Sequence, residues 1–211
     1  LVMGAKYRVY KSAGNRNSLT GLPMEVLNIP TDTEWAVLEA GMSDPGEIAQ
    51  ISRLIKPNAA IITNIGHSHI LAFGSREGIC AEKLSIVEGM ENSLLVMPNE
   101  PLIKSSTVSI DEAVYCGAQG CGCNACYKNV GEESGITEFT ACYNDKETVI
   151  KLPASGIHNV QNALLCFTAG VRLGVEEEKA ALALLDFVTE GNRQNIRQSN
   201  GIRVIADCYN A

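Results

Sequence analysis

The sequence predicts an α/β fold: a mostly parallel sheet flanked by helices, with a small antiparallel β element. Three observations predict it. Short apolar runs at 35–39 and 59–64, bounded by turn formers, read as buried strands enclosing a helical stretch. Runs at 138–143 and 148–152 read as an antiparallel pair around Asn144-Asp145. Two stretches with helical apolar spacing, 159–173 and 176–188, follow them.

Taken in order, residues 1–10 read as the end of a helix and a short strand, Tyr7-Arg8-Val9-Tyr10. Residues 12–18 form a polar loop rich in turn formers. The run Trp35-Ala36-Val37-Leu38 ends in an acid, Glu39. Asp44 is placed as an N-cap, Pro45 in the first turn and Glu47 to close a capping box. Ile48, Ile51 and Ile55 mark the inner face of that helix, and Pro57 stops it. With the strand at 59–64 this makes a βαβ unit with a right-handed crossover. Residues 77–90 read as one helix with an apolar face of Ile79, Cys80, Leu84, Ile86, Val87 and Met90. Glu82, Ser85 and Glu88 fall mostly on the other side, while Lys83 projects from the middle of the apolar face. Further strands are expected at 93–97 and 113–116. The later helices bury Val160, Leu164, Phe167 and Val171, then Ala181, Leu184, Leu185 and Val188. A last apolar strand covers 203–207, and no internal repeat interrupts the pattern.

Composition excludes several classes. With 45% hydrophobic and 19% charged residues in 211, the chain is globular. A net charge of −7 without any basic run argues against a nucleic-acid partner. No apolar run approaches the roughly 20 residues of a membrane span, and residues 1–10 lack a signal-peptide core. A cytoplasmic monomer is expected. Of eight cysteines, Cys80, Cys142, Cys166 and Cys208 are scattered, with Cys80 and Cys166 on helical apolar faces. Cys116, Cys121, Cys123 and Cys126 cluster as C-x4-C-x-C-x2-C, of which only Cys123 and Cys126 have the usual zinc-pair spacing. Reduced loop thiols are the favoured reading and a zinc site the alternative.

In parallel α/β sheets, function gathers at the carboxyl ends of strands. Glu39 ends one strand, and His67 and His69 follow the next. An acid and an imidazole on adjacent strand ends could share a metal; equally, Glu39 is a surface acid and His67 a solvent-exposed loop residue. Lys83 carries the stronger argument. Burial disfavours its ammonium, and the neutral amine is a nucleophile able to form a Schiff base, act as a base or add carbon dioxide. The alternative is that its stem packs while the ammonium reaches an acid such as Glu39 or Glu82. The sequence holds no G-x-x-x-x-G-K-[ST], G-x-S-x-G, C-x-x-C-H or H-E-x-x-H.

The order of these pieces resembles the Mur ligase family. Glu39-Ala40-Gly41-Met42 and Pro45-Gly46-Glu47-Ile48 match its E-x-G and G-E-I segments. Gly14-Asn15-Arg16-Asn17, Gly21-Leu22-Pro23, Thr63-Asn64-Ile65-Gly66, Ser68-His69-Ile70 and Phe73-Gly74-Ser75-Arg76-Glu77-Gly78-Ile79 are similar to its MurF-type branch. So are Glu82-Lys83, Gly89-Met90, Gly156-Ile157-His158-Asn159-Val160-Gln161-Asn162-Ala163 and Asp207-Cys208-Tyr209-Asn210-Ala211. The resemblance implies a central ATP-binding domain of P-loop NTPase type. It implies ATP-dependent joining of a carboxylate to an amine through an acyl phosphate, adding D-alanyl-D-alanine to UDP-N-acetylmuramoyl-tripeptide in peptidoglycan synthesis. It implies magnesium at Glu39 and His69, with a carbamylated Lys83 helping to hold a second ion. His158, Asn159 and Asn162 would approach the adenine, Arg193 and Asp207 the nucleotide phosphate and ribose, and Asn15 and Asn17 the muramoyl substrate.

The family's Walker-type loop would precede Leu1, so the expected organisation is a central domain over 1–190, truncated at its start. Residues 191–211 are then a linker and the first strand of the C-terminal ligase domain. The chain alone is expected not to turn over ATP. It departs from the family pattern at Leu71 and Ala206, where acids are usual. Two alternatives stand beside the leading one: a related acid–amino acid ligase or amidating enzyme with a zinc-binding cysteine insertion, and a non-catalytic Mur-like module.

Overall fold

The computed structural model describes residues 1–91, 94–189 and 195–206. Its largest sheet has six strands in sequence order. These are β3 (Ala59–Ile61), β4 (Leu94–Pro98), β5 (Glu112–Ala118), β6 (Ala125–Glu133), β7 (Ile136–Tyr143) and β8 (Lys146–Leu152). β3 to β6 run parallel, and β6, β7 and β8 continue as an antiparallel meander. β1 (Val9–Lys11) and β2 (Trp35–Val37) form a separate parallel pair, and β9 (Asn195–Ser199) with β10 (Ile202–Ala206) an antiparallel hairpin. The α/β expectation therefore holds. The strands expected at 35–39 and 59–64 both form, but β2 pairs with β1 and β3 with β4, so they are not adjacent in one sheet.

Alternation along β4 explains why both sheet faces are covered. Leu94 and Val96 face a core with α6 (Ile157–Arg172) and α7 (Glu177–Leu184). Leu95 and Met97 face a second core with α2 (Glu47–Ile55), α4 (Arg76–Leu84) and α5 (Pro101–Lys104). β4 is thus an unbroken apolar run, as a strand buried on both faces requires. In the meander, β7 alternates instead, burying Thr137, Phe139, Ala141 and Tyr143 against the first core alone. Asn144 and Asp145, at φ of 50° and 60°, supply the left-handed turn that joins β7 to β8.

Several local expectations are corrected. The helix read across 77–90 ends at Leu84, and a 3-10 turn, Ser85–Gly89, carries the chain on. Asp44 is not the N-cap of α2: Gly46 is, with φ 87°. Glu47 still turns back, its carboxylate accepting from the amides of Ser43 (2.5 Å) and Asp44 (3.1 Å). Glu82 is buried rather than outward-facing, 8% exposed. Its two oxygens accept from Gly46 N (2.8 Å) and Ile48 N (2.9 Å), so an acid on α4 caps the start of α2. α7 stops at Leu184, which leaves Leu185 and Val188 exposed, and Cys166 lies on the outer side of α6. Val171 is half-buried.

α1 (Gly21–Leu27) has no counterpart in the sequence-based expectation. It buries Glu25, 1% exposed. The Glu25 carboxylate accepts from Tyr10 Oη (2.7 Å), Ala13 N (3.0 Å) and Arg16 Nη1 (3.0 Å). One acid thereby ties β1, the loop at 12–18 and α1 together. The Tyr10 hydroxyl, the Ala13 amide and the Arg16 guanidinium hold its carboxyl below the usual value.

Two predictions follow from these acids. Glu82→Ala leaves the first amides of α2 without their acceptor and should destabilise the chain by about 1–3 kcal/mol; an unchanged urea midpoint would contradict the cap. The folded pKa of Glu25 is depressed, so its contribution is present above the unfolded carboxylate value and is lost as pH falls through the folded value. Denaturation midpoints of the wild type should therefore fall more between pH 7 and pH 3 than those of Glu25→Gln. Parallel pH profiles for the two proteins would disprove the linkage.

Candidate active site

The loop at 12–18 folds over the end of β2. Ser12 N donates to Val37 O (3.0 Å), Ser12 Oγ accepts from Glu39 N (3.1 Å), and Asn17 O accepts from Gly41 N (2.7 Å). Asn17 Nδ2 then donates to Glu39 Oε1 at 2.8 Å, leaving the second carboxylate oxygen available in an exposed position. The structure thus brings together two residues that the sequence assigns to different tasks. A Cβ at Gly41 would lie 2.8 Å from Asn17 Cγ, so a larger residue there would push the Asn17 side chain away from Glu39. Asn15 sits exposed in the same loop.

Beyond β3 the chain runs through Asn64 and Ile65 to His67 and His69, both exposed. His69 has a left-handed backbone, φ 64°, and precedes the short helix α3 (Ile70–Phe73), accepting at its carbonyl from Ala72 N (2.9 Å). That turn presents the imidazole outward near Glu47. The amides of Ser43 and Asp44, and to a lesser degree His69, hold the Glu47 carboxyl low. Leu71 in α3 is 99% exposed.

Lys83 is partly buried on α4 and donates from Nζ to Asn64 O at 2.7 Å. The ion pair with Glu39 or Glu82 entertained from the sequence is replaced by this carbonyl contact, because Glu82 is already engaged with the α2 amides. Burial pushes the Lys83 amine below its ordinary pKa, with a small opposing effect from Cys80. A second cation from the same helix holds the next carbonyl along the chain: Arg76 Nη2 donates to Ile65 O (2.9 Å) and to Glu100 Oε1 (3.1 Å).

A cavity of about 290 Å³ lies at the carboxyl ends of β3, β4 and β5. Thr63, Asn64, Asn99, Glu100, Gly117 and Cys121 line it, with Gln161, Leu164 and Leu165 from α6. Asn99 Nδ2 donates to Cys121 O (2.7 Å), while its Oδ1 is a buried acceptor with no partner among the described residues. Sequence reasoning missed Asn64, Arg76, Asn99 and Glu100 as site residues; for Asn64, Asn99 and Glu100 the signal open to it was their position just after strand ends, whereas Arg76 opens α4 and gave no such signal. His158, Asn159 and Asn162 lie in the first turns of α6. His158 is exposed and folds back over Gly156, where a Cβ would meet its Cε1 at 2.8 Å, and Asn159 Nδ2 donates to Ser155 O (2.8 Å). Arg193 and Asp207 lie outside the described residues.

The four clustered cysteines fall at three places in the fold. Cys116 is buried against α6, Cys121 and Cys123 share a loop, and Cys126 stands opposite Cys142 across β6 and β7. Among the described residues, no group of three or more His, Cys, Asp or Glu is placed to hold a metal ion. No helix among them is long and apolar enough to cross a membrane.

Comparisons with known proteins place this geometry in a family. The UDP-N-acetylmuramoyl-tripeptide–D-alanyl-D-alanine ligase of Bacillus subtilis is 40% identical over 215 residues, covering 100% of this chain and 46% of that protein. The Escherichia coli enzyme of the same name is 30% identical over 95% of this chain and 45% of its own length. The chain thus spans about half the length of these relatives. A crystal structure of MurF from Acinetobacter baumannii superposes with a TM-score of 0.89 at 26% identity, covering all of this chain and 47% of that one. MurF from Thermotoga maritima in complex with ADP gives 0.86 at 26% identity, over all of this chain and 50% of its own. Residues 1–170 match the Mur ligase middle domain, and the chain belongs to the Mur ligase family.

Proposed function

We propose that this chain is the central nucleotide-binding portion of an ATP-dependent ligase that adds D-alanyl-D-alanine to UDP-N-acetylmuramoyl-tripeptide. The observation that carries the reading is Lys83, an amine with lowered basicity held at a strand end within a chain related throughout to named ligases. The Glu39 carboxylate, with one oxygen free of Asn17, suits a hard cation, and the exposed imidazole of His69 is assigned to the same ion by the family resemblance. Bound there with Lys83, magnesium would stabilise charge on the transferring phosphoryl group.

The Lys83 amine suits carbamylation. Its nitrogen attacks carbon dioxide, one N–H proton leaves to solvent, and the product is a carbamate anion on a long tether. The carbamate nitrogen keeps one hydrogen, so the Asn64 carbonyl can still orient it. His158, Asn159 and Asn162 are assigned to the adenine side, and the unpartnered Asn99 Oδ1 supplies an acceptor in the nearby cavity. Asn15 and Asn17 are assigned to the muramoyl substrate. Arg193 and Asp207 keep the phosphate and ribose roles implied by sequence alone.

In a longer protein carrying this chain, Lys83→Ala should abolish D-alanyl-D-alanine-dependent phosphate release, and added formate or acetate should restore part of it. The wild type in ¹³C-bicarbonate should give a carbamate resonance that the variant lacks. Unchanged activity in Lys83→Ala would rule out the carbamate. Phosphate release indifferent to D-alanyl-D-alanine in the wild type would instead rule out the assigned substrate.

A further inference from the structure

β5 and β6 are parallel neighbours, yet only residues 119–124 join them. Parallel neighbours ordinarily need a crossover of about a dozen residues or more. The chain manages the return by doubling back beside β5. Gly120 and Gly122 take φ values of 87° and 69°, open to glycine at no steric cost. Asn124 pins the far end on both sides, its amide donating to Tyr115 O (2.9 Å) and its Oδ1 accepting from Tyr115 N (2.8 Å). Asn99 pins the near end through Cys121 O.

At the tip, Cys121 and Cys123 flank Gly122 with their sulfurs 2.8 Å apart, both partly exposed. Cys121 also lines the cavity at the strand ends, with its sulfur packed against Gly117. We propose that Cys121 and Cys123 are a redox-active dithiol that exchanges with low-molecular-weight disulfides and closes into a Cys121–Cys123 disulfide across Gly122. The Cys121 thiolate attacks one sulfur of the oxidant RSSR, releasing RS⁻ and leaving a Cys121–S–S–R mixed disulfide. The Cys123 sulfur then attacks the Cys121 sulfur and releases the second RS⁻. Two S–H bonds become one S–S bond, two electrons pass to the oxidant, and it leaves as two RSH with both protons. Cys123 is the resolving partner: its thiol lies 3.8 Å from Ala118 O, and burial with the Cys121 contact pushes it up to about 12. The exchange therefore quickens with rising pH. Ring closure tightens the same loop whose Cys121 carbonyl holds Asn99, so the modification acts on the cavity wall.

Cys126 and Cys142, paired across β6 and β7, are the internal competitor. The test treats the reduced chain with excess oxidised glutathione, alkylates the remaining thiols and maps the peptides by mass. The expected result is loss of two titratable thiols, a Cys121–Cys123 peptide lighter by two hydrogens, and full reversal by dithiothreitol. Cys123→Ser should accumulate glutathione on Cys121, whereas Cys126→Ser should close the ring as the wild type does. Phenylarsine oxide, which needs two neighbouring thiols, should bind the wild type and protect the same peptide from alkylation. A disulfide mapped to Cys126–Cys142, a lasting glutathione adduct on wild-type Cys121, or alkylation of both loop cysteines after oxidation would each overturn the proposal.

Discussion

The Glu82 carboxylate, buried between α2 and α4, decides how those helices meet, and the placement of the candidate site follows from it. A helix start presents amides with no partner in the helix and the positive end of its dipole. Here both needs are met from another helix rather than by a local cap, since Gly46 has no side chain to offer. Ser52 completes the seam: its hydroxyl donates to Ile86 O and accepts from Gly89 N at 3.0 Å. With α4 locked in rotation, the next residue after Glu82 leaves the helix about 100° further round. That direction carries Lys83 to the Asn64 carbonyl.

The candidate site relies on backbone as much as on side chains. Lys83 and Arg76, both on α4, each take a carbonyl from the segment just past β3. Asn17 spends its carbonyl on Gly41 and its amide on Glu39. A carbonyl contact neutralises nothing, so partial burial can still lower the Lys83 pKa; a carboxylate partner would have raised it. The irregular stretches after β2 and β3 are thereby held without closing them off from solvent, and the exposed Glu39, His67 and His69 remain accessible.

What the sequence made legible was whatever repeats with a period. The parallel strands, the Asn144-Asp145 hairpin and the long helix α6 all announce themselves by spacing. The helical wheel also picked out Lys83 correctly as an anomaly. It misplaced Glu82, because a wheel counts apolar neighbours and cannot know that the facing surface is the polar start of another helix. Glu25 left no trace in sequence, being a single acid in Gly-Leu-Pro-Met-Glu-Val-Leu whose three donors come from elsewhere in the fold. β6 was missed because Ala125–Glu133 alternates poorly and follows β5 too closely for a usual parallel crossover. Side-by-side placement of β2 and β3 was inferred from an intervening helix, but chain order does not fix which strands share hydrogen bonds.

The change from parallel to antiparallel at β6 divides the sheet by the cost of closing it. β6, β7 and β8 are joined by the tight turns Ser134-Gly135 and Asn144-Asp145, all four residues at positive φ, so their ladder closes over a few residues at a time. β3 and β4 meet only after the whole of α3 and α4 has been traversed. Loop-closure entropy rises with the length enclosed, and contacts distant in sequence form late. The half of the sheet that carries the candidate site is therefore the half with the higher contact order. Its strand ends are held by contacts from α4, distant in sequence, whereas the ladder of the meander is closed between neighbours in sequence.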